Sequence, residues 1–411
     1  TDTLSLTGSG TTTANVGNSK SVTLGTLALA SGSGNASNYA LSSATVDITQ
    51  RPLDLQASRN YDGTVTINGS DFLIFGNIVS GQTLSATGSG TVSSANVGTG
   101  KTVTSVNLAL ANGTGLASNY NLTTGTFDIT QRWVTLTGTR SYDGTATADS
   151  SDLVISNLVA GETLGLTGNG TVASKNVGSN KAITDVSLTL TDGSGLASNY
   201  TIGTKTFNIT QQAISIDGSK VYDGNTTVAA ANISTFNGLA LTETLTISGS
   251  GTVTAPQVGT NKTVTLGTLA LADGTNGGEA SNYSLAGGTF DVTARPITLS
   301  GSRVYDGTTT VANTDLTTFT NIVSGEVLSL TGSGTVADQN VGINKAVNLG
   351  TLALADNTGI ASNYSLSSAT FDVSQRPLNI TATKAYDGNT AITSGSVTLS
   401  NLVGVETLNT S

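Results

Sequence analysis

The sequence predicts an all-β protein built as a tandem array of small β-domains, and three observations support this prediction. Tyr-Asp-Gly occurs five times at intervals of about eighty residues, and a fixed period of this kind is the signature of a repeat architecture. Ser-Asn-Tyr and Val-Gly recur with the same period. Short stretches of alternating apolar and polar residues lie between Gly- and Asn-containing turns, which is typical of strands. About eighty residues can form a small domain with its own core.

The repeat sets the predicted domain organisation. The motifs define four complete modules with a partial module on each side. We predict the C-terminal part of a truncated module at 1–50, complete modules at 51–131, 132–211, 212–294 and 295–375, and the N-terminal part of a truncated module at 376–411.

The first complete module shows how strands are predicted. Leu53 and Leu55 alternate with Asp54 and Gln56 before the pattern breaks at Tyr-Asp-Gly, so a half-buried strand is followed by a turn. Six or seven short strands fit each module, and no segment has a helical apolar period. An Ig-like sandwich and a β-grasp-like sheet both remain open.

The joints between modules lack a Gly/Ser-rich linker. The predicted last strand runs through Thr130-Gln131-Arg132 into the next module, and proline at three of the joints favours an extended link. The residues predicted to form the joints are Arg51, Pro52, Arg132, Trp133, Arg295, Pro296, Arg376 and Pro377. We expect an elongated, stiff rod in which each module adds roughly 35–40 Å, giving about 150–200 Å in all.

Two recurring motifs are candidate sites. In Tyr-Asp-Gly we expect the tyrosine to pack and Asp-Gly to form a turn; binding of a sugar or a cation is the alternative. The five turns are Tyr61-Asp62-Gly63, Tyr142-Asp143-Gly144, Tyr222-Asp223-Gly224, Tyr305-Asp306-Gly307 and Tyr386-Asp387-Gly388. A cation two residues before each tyrosine is expected to pair with the aspartate or to stack on a ring.

The tyrosines of Ser-Asn-Tyr resemble a tyrosine corner, in which the hydroxyl bonds back to upstream backbone. A platform for stacking carbohydrate is the alternative. These structural tyrosines are Tyr39, Tyr120, Tyr200, Tyr283 and Tyr364.

Composition restricts the function. Charged residues are only 10% of the chain and the net charge is −10, which argues against nucleic acid as a partner. Cysteine, methionine and histidine are absent, so disulfides, thiolate metal sites and the usual nucleophile–base pairs are excluded. Carboxylates are scattered, and we expect no metal, no cofactor and no enzymatic activity. No apolar run is long enough for a transmembrane helix, and no signal peptide begins at Thr1.

The succession Arg-Pro-Leu…Tyr-Asp-Gly…Asn-Val-Gly…Ala-Ser-Asn-Tyr…Phe-Asp-Ile-Thr-Gln resembles the YDG/MBG-type repeat modules of large bacterial surface proteins. These are similar to the stalks of filamentous-haemagglutinin-like adhesins exported by two-partner secretion. The resemblance covers the whole chain and implies secretion, a location on the cell surface or in the extracellular matrix, and a role in attachment and biofilms. The departures are interpreted as drift; they are Trp133, Gln212, Ala213, Gln257 and the longer loop at 274–278.

The predicted function is therefore a structural stalk that holds an adhesive tip away from the cell. One alternative is that the modules bind extracellular polysaccharide through multivalency. Another is a self-assembling extracellular filament in which partial modules of neighbouring copies complete each other by strand addition. An enzyme on a parallel β-helix would need a much shorter repeat than the one observed.

Overall fold

The computed structural model describes residues 1–105, 107–185, 187–394 and 397–408. The predicted partial module 376–411 therefore contains positions outside the described residues, namely 395, 396 and 409–411. The chain divides into two compact units, one formed by Thr1–Arg140 with Thr145–Ile209 and the other by Ser141–Gly144 with Thr210–Ser411.

The described residues form β-strands and single 3₁₀ turns, without an α-helix. The all-β class and the repeated β-units of about eighty residues are confirmed. The 3₁₀ turns lie at Ala36–Asn38, Gly69–Asp71, Ala117–Asn119, Ser150–Asp152, Ala197–Asn199, Ala230–Asn232, Ala280–Asn282, Asn313–Asp315 and Ala361–Asn363.

The first unit contains the predicted segment 1–50, the module 51–131 and most of the module 132–211. The strands of the first segment are β1 (Leu4–Thr7), β2 (Gly17–Ser21), β3 (Ala28–Ser31) and β4 (Thr45–Ile48). Those of the next are β5 (Arg51–Asn60), β6 (Thr66–Asn68), β7 (Phe72–Gly76), β8 (Leu84–Thr87), β9 (Ser89–Thr91), β10 (Gly98–Thr102), β11 (Thr104–Ser105), β12 (Ala109–Asn112) and β13 (Tyr120–Thr130). The last set is β14 (Arg132–Ser141), β15 (Thr147–Asp149), β16 (Leu153–Ser156), β17 (Leu164–Thr167), β18 (Asn169–Val172), β19 (Gly178–Asp185), β20 (Thr189–Asp192) and β21 (Tyr200–Thr210).

The second unit contains the modules 212–294 and 295–375 and the described part of 376–411. The strands of its first module are β22 (Gln212–Val221), β23 (Thr227–Ala229), β24 (Ile233–Asn237), β25 (Leu245–Ser248), β26 (Ser250–Val253), β27 (Gly259–Thr265), β28 (Ala270–Asp273) and β29 (Tyr283–Thr293). Those that follow are β30 (Arg295–Val304), β31 (Thr310–Ala312), β32 (Thr318–Thr320), β33 (Ser329–Thr331), β34 (Ser333–Val336), β35 (Gly342–Asn348), β36 (Ala353–Ala355), β37 (Tyr364–Ser374), β38 (Asn379–Ala382) and β39 (Val397–Ser400).

The modules share one sheet topology. In 212–294 a six-stranded sheet has the order β23-β26-β27-β29-β22-β24, and β25 and β28 form a separate two-stranded antiparallel sheet. The modules 132–211 and 295–375 repeat this order with their own strands. In 51–131 the same strands are divided between a four-stranded sheet, β10-β13-β5-β7, and a three-stranded sheet, β11-β9-β6.

In the modules 51–131, 212–294 and 295–375 the first and last strands are paired in parallel, and neither is an edge strand of its sheet. In 51–131 the register runs from Arg51 opposite Tyr120 to Asn60 opposite Thr130, with a bulge between Leu122 and Thr124. The strand pairs β22·β29 and β30·β37 have the same parallel register and the same bulge. Tyr-Asp-Gly directly follows the first strand, and the tyrosine of Ser-Asn-Tyr begins the last strand. The pairing of these two long strands therefore sets the positions of both motifs.

Alternation along these central strands builds the core. Leu53 and Leu55 are fully buried in β5, and Phe127 and Ile129 are fully buried in β13, whereas the intervening side chains are polar. One face of the sheet thus removes large apolar groups from water, which is the main stabilising term for a small β-domain.

Candidate functional site at the module joints

The Asp-Gly part of each repeated motif forms a local turn. Asp62 Oδ1 accepts hydrogen bonds from the Thr64 backbone N–H at 2.9 Å and from its hydroxyl at 3.0 Å. Gly63 has a φ of 79°, a conformation that glycine adopts without steric cost. Asp306 and Thr308 repeat both hydrogen bonds. The structure thus places these residues in the turn that the sequence predicts.

The cation two residues before the tyrosine contacts the aspartate of the turn. Arg59 Nη2 lies 2.9 Å from Asp62 Oδ1, and its guanidinium lies 5.5 Å from the centroid of the Phe127 ring. Both expected partners, the aspartate and an aromatic ring, are therefore used at once. In the module 212–294 a lysine and an asparagine replace the arginine and the threonine, and Lys220 Nζ reaches Asn225 Oδ1 at 2.9 Å.

The tyrosine of the motif does more than pack, because its hydroxyl reaches the following module. Tyr61 is 5% exposed and donates a hydrogen bond to Glu162 Oε1 at 2.6 Å. Tyr200, from Ser-Asn-Tyr of that following module, donates to Glu162 Oε2 at 2.6 Å. The two rings meet edge to face, with centroids 5.4 Å apart. We call this arrangement of two tyrosines on one carboxylate the Tyr–Glu–Tyr cluster.

The second unit contains the same cluster twice. Glu243 accepts hydrogen bonds from Tyr142 at 2.7 Å and from Tyr283 at 2.6 Å, and the ring centroids lie 5.3 Å apart. The other cluster comprises Tyr222, Glu326 and Tyr364, with a Tyr364–Glu326 distance of 2.7 Å and centroids 5.5 Å apart. Tyr305 and Glu406 make the corresponding first contact.

The Ser-Asn-Tyr hydroxyls also accept a hydrogen bond from a backbone N–H about forty residues upstream. Tyr200 accepts from the Val159 N–H at 3.1 Å, and Tyr364 accepts from the Val323 N–H at 3.1 Å. Tyr120 accepts from the Val79 N–H at 3.3 Å and donates to Gln82 Oε1 at 2.5 Å. Each of these hydroxyls therefore uses both its donor and its acceptor capacity.

Burial and the adjacent carboxylate shift the pKa of a cluster tyrosine in the same direction, upward. Burial first, and then the hydrogen bond to Glu162, raise the pKa of Tyr61 from 10.0 to about 12. The same two causes raise the pKa of the corresponding tyrosines to about 12 at Tyr222, Tyr283 and Tyr364. Both causes favour the neutral phenol, which can donate to the carboxylate.

Asn-Val-Gly meets Ser-Asn-Tyr across the same joint. The Val97 N–H donates to Asn199 Oδ1 at 2.9 Å, and Asn199 Nδ2 donates to Asn96 Oδ1 at 2.9 Å. Asn199 is only 1% exposed, so these bonds satisfy an amide that is withdrawn from water. Asn119 makes the equivalent pair of bonds to the segment containing Asn15 and Val16; these are Val16 N–H to Asn119 Oδ1 and Asn119 Nδ2 to Asn15 Oδ1.

One joint lacks half of this exchange. The Val258 N–H donates to Asn363 Oδ1 at 3.0 Å, but Gln257 stands where the other joints have asparagine. Asn363 Nδ2 is buried and has no hydrogen-bond partner among the described residues. The sequence departure at Gln257 therefore has a structural consequence.

The turn glycine forms part of the contact surface. A β-carbon added at Gly63 would lie 3.0 Å from Val159 Cγ1 of the following module, and one at Gly224 would lie 2.9 Å from Val323 Cγ1. At Gly388 no atom of the described residues lies within 4 Å of that position. At Gly63 and Gly224, glycine is thus used both for its φ and for close approach to the following module.

The joint arginine ties the start of its module to a loop asparagine and to the preceding module. Arg132 donates to the Asn157 carbonyl at 2.6 Å and to Asn157 Oδ1 at 2.8 Å, and more weakly to the Tyr61 carbonyl at 3.5 Å. Asn157 has a φ of 69° and donates to the Trp133 carbonyl at 2.7 Å. The predicted joint residues Arg51, Pro52, Arg295, Pro296, Arg376 and Pro377 lie in the same hydrogen-bonded arrangement with Asn77, Asn321 and Asn401.

Trp133, which follows the joint arginine, contributes its carbonyl to the joint and exposes its side chain to solvent. Trp133 is 66% exposed. Its ring lies over Gly203, where an added β-carbon would be 3.1 Å from Trp133 Cε3. Tyr39 and Tyr386 are also exposed, at 56% and 97%, and neither takes part in a Tyr–Glu–Tyr cluster among the described residues.

The glutamate of the cluster is the functional residue that the motif analysis missed. Glu162, Glu243, Glu326 and Glu406 recur with the module period, so the signal was present in the sequence. It was obscured because Gln82 occupies the same register in the first complete module. Among the residues that the structure describes, no three His, Cys, Asp or Glu side chains group to hold a metal ion, and no helix could span a membrane.

Comparison with known proteins identifies the repeat. The YDG domain model matches residues 48–127, 129–207, 204–290 and 291–371. These limits lie close to the four complete modules predicted above. No curated protein matches the sequence. Among solved structures, the Bacillus anthracis TIE protein aligns at 9% identity over 90% of this chain and 74% of that chain, with a TM-score of 0.16.

Proposed function

We propose that this chain, which belongs to the YDG domain family, forms part of the stalk of a large secreted bacterial adhesin or biofilm matrix protein. The stalk would hold a separate adhesive tip away from the cell, and export would follow the two-partner route. The observation that carries this proposal is the repeated joint. Tyr-Asp-Gly, Asn-Val-Gly and Ser-Asn-Tyr, the three most regular features of the sequence, all converge on contacts between consecutive modules.

The chemistry of the joint supports a mechanical role. Within the first unit, β13 ends at Thr130 and β14 begins at Arg132, so one residue separates two long strands. The Tyr61–Glu162 hydrogen bond and the Asn199 amide bonds then connect the same two modules at separate points. Several contacts around a one-residue link restrict bending, whereas a flexible linker would leave the modules independent.

Small-angle scattering tests the proposal. We expect the maximum dimension to be about 150–200 Å, from roughly 35–40 Å per module, and to stay constant with concentration. The triple variant Glu162→Ala, Glu243→Ala, Glu326→Ala should broaden the distance distribution, and Tyr386→Phe is its matched control. A compact particle in the unmodified chain would contradict the stalk. Antibody labelling of intact source cells tests the surface location, and signal only after lysis would contradict it.

For the module itself we favour a β-grasp-like sheet over an Ig-like sandwich. The sheets of an Ig-like sandwich are antiparallel, whereas β22·β29 and β30·β37 are parallel. An experimental structure of one module would decide between them by its layer arrangement.

Polysaccharide binding is a second candidate function, and one observation favours it at a single place. Trp133 presents a largely exposed ring, and aromatic rings stack on neutral sugars. Thr135, two residues further along the same strand, and its cross-strand partner Ser156 both carry hydroxyls. Burial of the repeated tyrosines counts against a site in every module. Affinity electrophoresis in neutral polysaccharide tests this: Trp133→Pro, which restores the residue found at other joints, should abolish retardation. Equal mobility of the two proteins in all gels would exclude the site.

A further inference from the structure

We propose that the parallel pair of first and last strands is the element of a module that carries tension, so that a module resists force applied through its ends far better than force applied across that pair. The biological use of this property rests on the proposed stalk function; the property itself depends only on the module. We call each such pair, β5·β13, β22·β29 and β30·β37, a terminal strand pair.

The pairing geometry determines how force acts. In the terminal strand pair of 295–375, Arg295 lies opposite Tyr364 and Val304 lies opposite Ser374. The chain enters at the Arg295 end and leaves at the Ser374 end, because the strands are parallel. Tension between the module's ends therefore pulls the two strands in opposite directions along their own axes.

Sliding the strands past each other loads the whole ladder at once. Each terminal strand pair has ten paired residues, and no rung can break without the others being strained at the same time. Force applied to two facing residues at one end would instead break the rungs one after another. Forced unfolding depends on the barrier along the pulling direction and not on equilibrium stability alone.

Neighbouring strands and one further hydrogen bond hold the terminal strand pair in place, and tension still acts along its strands. Antiparallel neighbours β35 and β32 flank β37 and β30, so neither strand of the pair is at a sheet edge. The Tyr305 N–H donates to the Ser374 carbonyl at 2.9 Å, which extends the pairing beyond the last rung. At the other end, Thr293 closes β29 and Arg295 opens β30, so tension passes from one terminal strand pair to the next through a single residue.

Single-molecule pulling on the full chain tests the inference. The chain has no cysteine, so introduced thiols are unique handles. Pro296→Cys with Ser374→Cys loads the pair along the strands, and Pro296→Cys with Ser365→Cys loads two facing residues at one end. All three residues are exposed, and the thiols are kept reduced until the handles are attached.

We expect a rupture force several-fold higher for the first handle pair than for the second at the same loading rate. Both variants should keep the same denaturation midpoint, which separates geometry from stability. In the module 212–294 the same comparison uses Ala213→Cys with Thr293→Cys against Ala213→Cys with Ser284→Cys, should the first pair fail to fold. Equal rupture forces in a folded pair would overturn the inference. That result would leave the stalk proposal standing, whereas a compact scattering particle would remove the stalk and leave the force difference.

Pulling the unmodified chain through its ends gives a further check. Each module should extend by roughly 230–260 Å when it ruptures, from about 3.3–3.6 Å per residue less the folded strand length. Extension in much smaller steps at low force would overturn the inference, since it would mean that the terminal strand pair separates before the rest of the module.

Discussion

Replacing Glu162 tests whether the Tyr–Glu–Tyr cluster stabilises the joint. The carboxylate accepts two short hydrogen bonds, from Tyr61 and from Tyr200, and both tyrosines are buried. A hydrogen bond to a charged group contributes about 1.5–3 kcal/mol. Glu162→Ala removes both, so we expect a loss of roughly 3–6 kcal/mol. Glu162→Gln keeps one acceptor oxygen, as Gln82 does for Tyr120, and should lose about half as much.

The assay uses a reporter that the chain already contains. Trp133 is the single tryptophan and lies in the same predicted module as Glu162, so denaturant unfolding followed by its emission reports on that module. Hydrogen exchange of the peptide that contains Asn199 and Tyr200 gives a second, local readout. Both variants should lower the midpoint and speed exchange at this peptide.

The single-bond control makes the reasoning refutable. Tyr61→Phe removes one hydroxyl and should cost about 1.5–3 kcal/mol, whereas Tyr386→Phe changes the same motif where the ring is 97% exposed and should have no measurable effect. If Tyr61→Phe also leaves the midpoint and the exchange rates unchanged, the hydroxyl–carboxylate bond contributes nothing to the joint.

Three further outcomes are expected. The folded pKa is raised from 10.0 to about 12 for Tyr61, Tyr222, Tyr283 and Tyr364, so the contribution of these tyrosines should be complete below pH 10 and lost as the pH rises from 10 to 12. Tyrosinate absorbance and unfolding free energy should change together in that window, and absorbance titrating wholly near pH 10 would contradict this prediction. Gln257→Asn should stabilise its joint by about 1 kcal/mol in denaturant titration, since it supplies the acceptor that Asn363 Nδ2 lacks; an unchanged midpoint would mean that water already satisfies this amide. Gly63→Ala and Gly388→Ala share the cost of a positive φ, about 1–2 kcal/mol, but Gly63→Ala should lower the melting temperature further because its methyl meets Val159, and equal shifts would show that close approach is unimportant.

The sequence predicted the module and its turns because their causes are local. Alternation in β5 identified Leu53 and Leu55 as core residues, and Asp62-Gly63 identified a turn from its own chemistry. Each of these features depends on residues a few positions apart. They can therefore be read without knowing which modules touch.

The joint was harder to predict because its contacts span about a hundred residues. Tyr61 and Glu162 are adjacent only after two modules have folded and come together. The period showed that Tyr-Asp-Gly, Asn-Val-Gly and Ser-Asn-Tyr matter, but not that they meet. A residue that recurs with the period and has no role inside its own module is a candidate for a contact with the next one, and this criterion would have identified Glu162.

Where the chain departs from the repeat, some contacts have both partners replaced together and others have only one partner replaced. In the module 212–294, Gln212 replaces the joint arginine and Gly238 replaces its asparagine partner, with a φ of 94°. Lys220 is likewise accompanied by Asn225. Both pairs lie inside one module.

Gln257 is different, because its partner Asn363 lies in the following module and still carries the unmatched amide. A partner within the module restores the lost interaction during folding of that module alone, whereas a partner across the joint restores it only when two modules meet. An unmatched pair inside a module costs folding stability directly. An unmatched pair across a joint weakens a contact that the Tyr222–Glu326 and Val258–Asn363 bonds still maintain. Because several separate contacts hold each joint, the chain tolerates the loss of one of them.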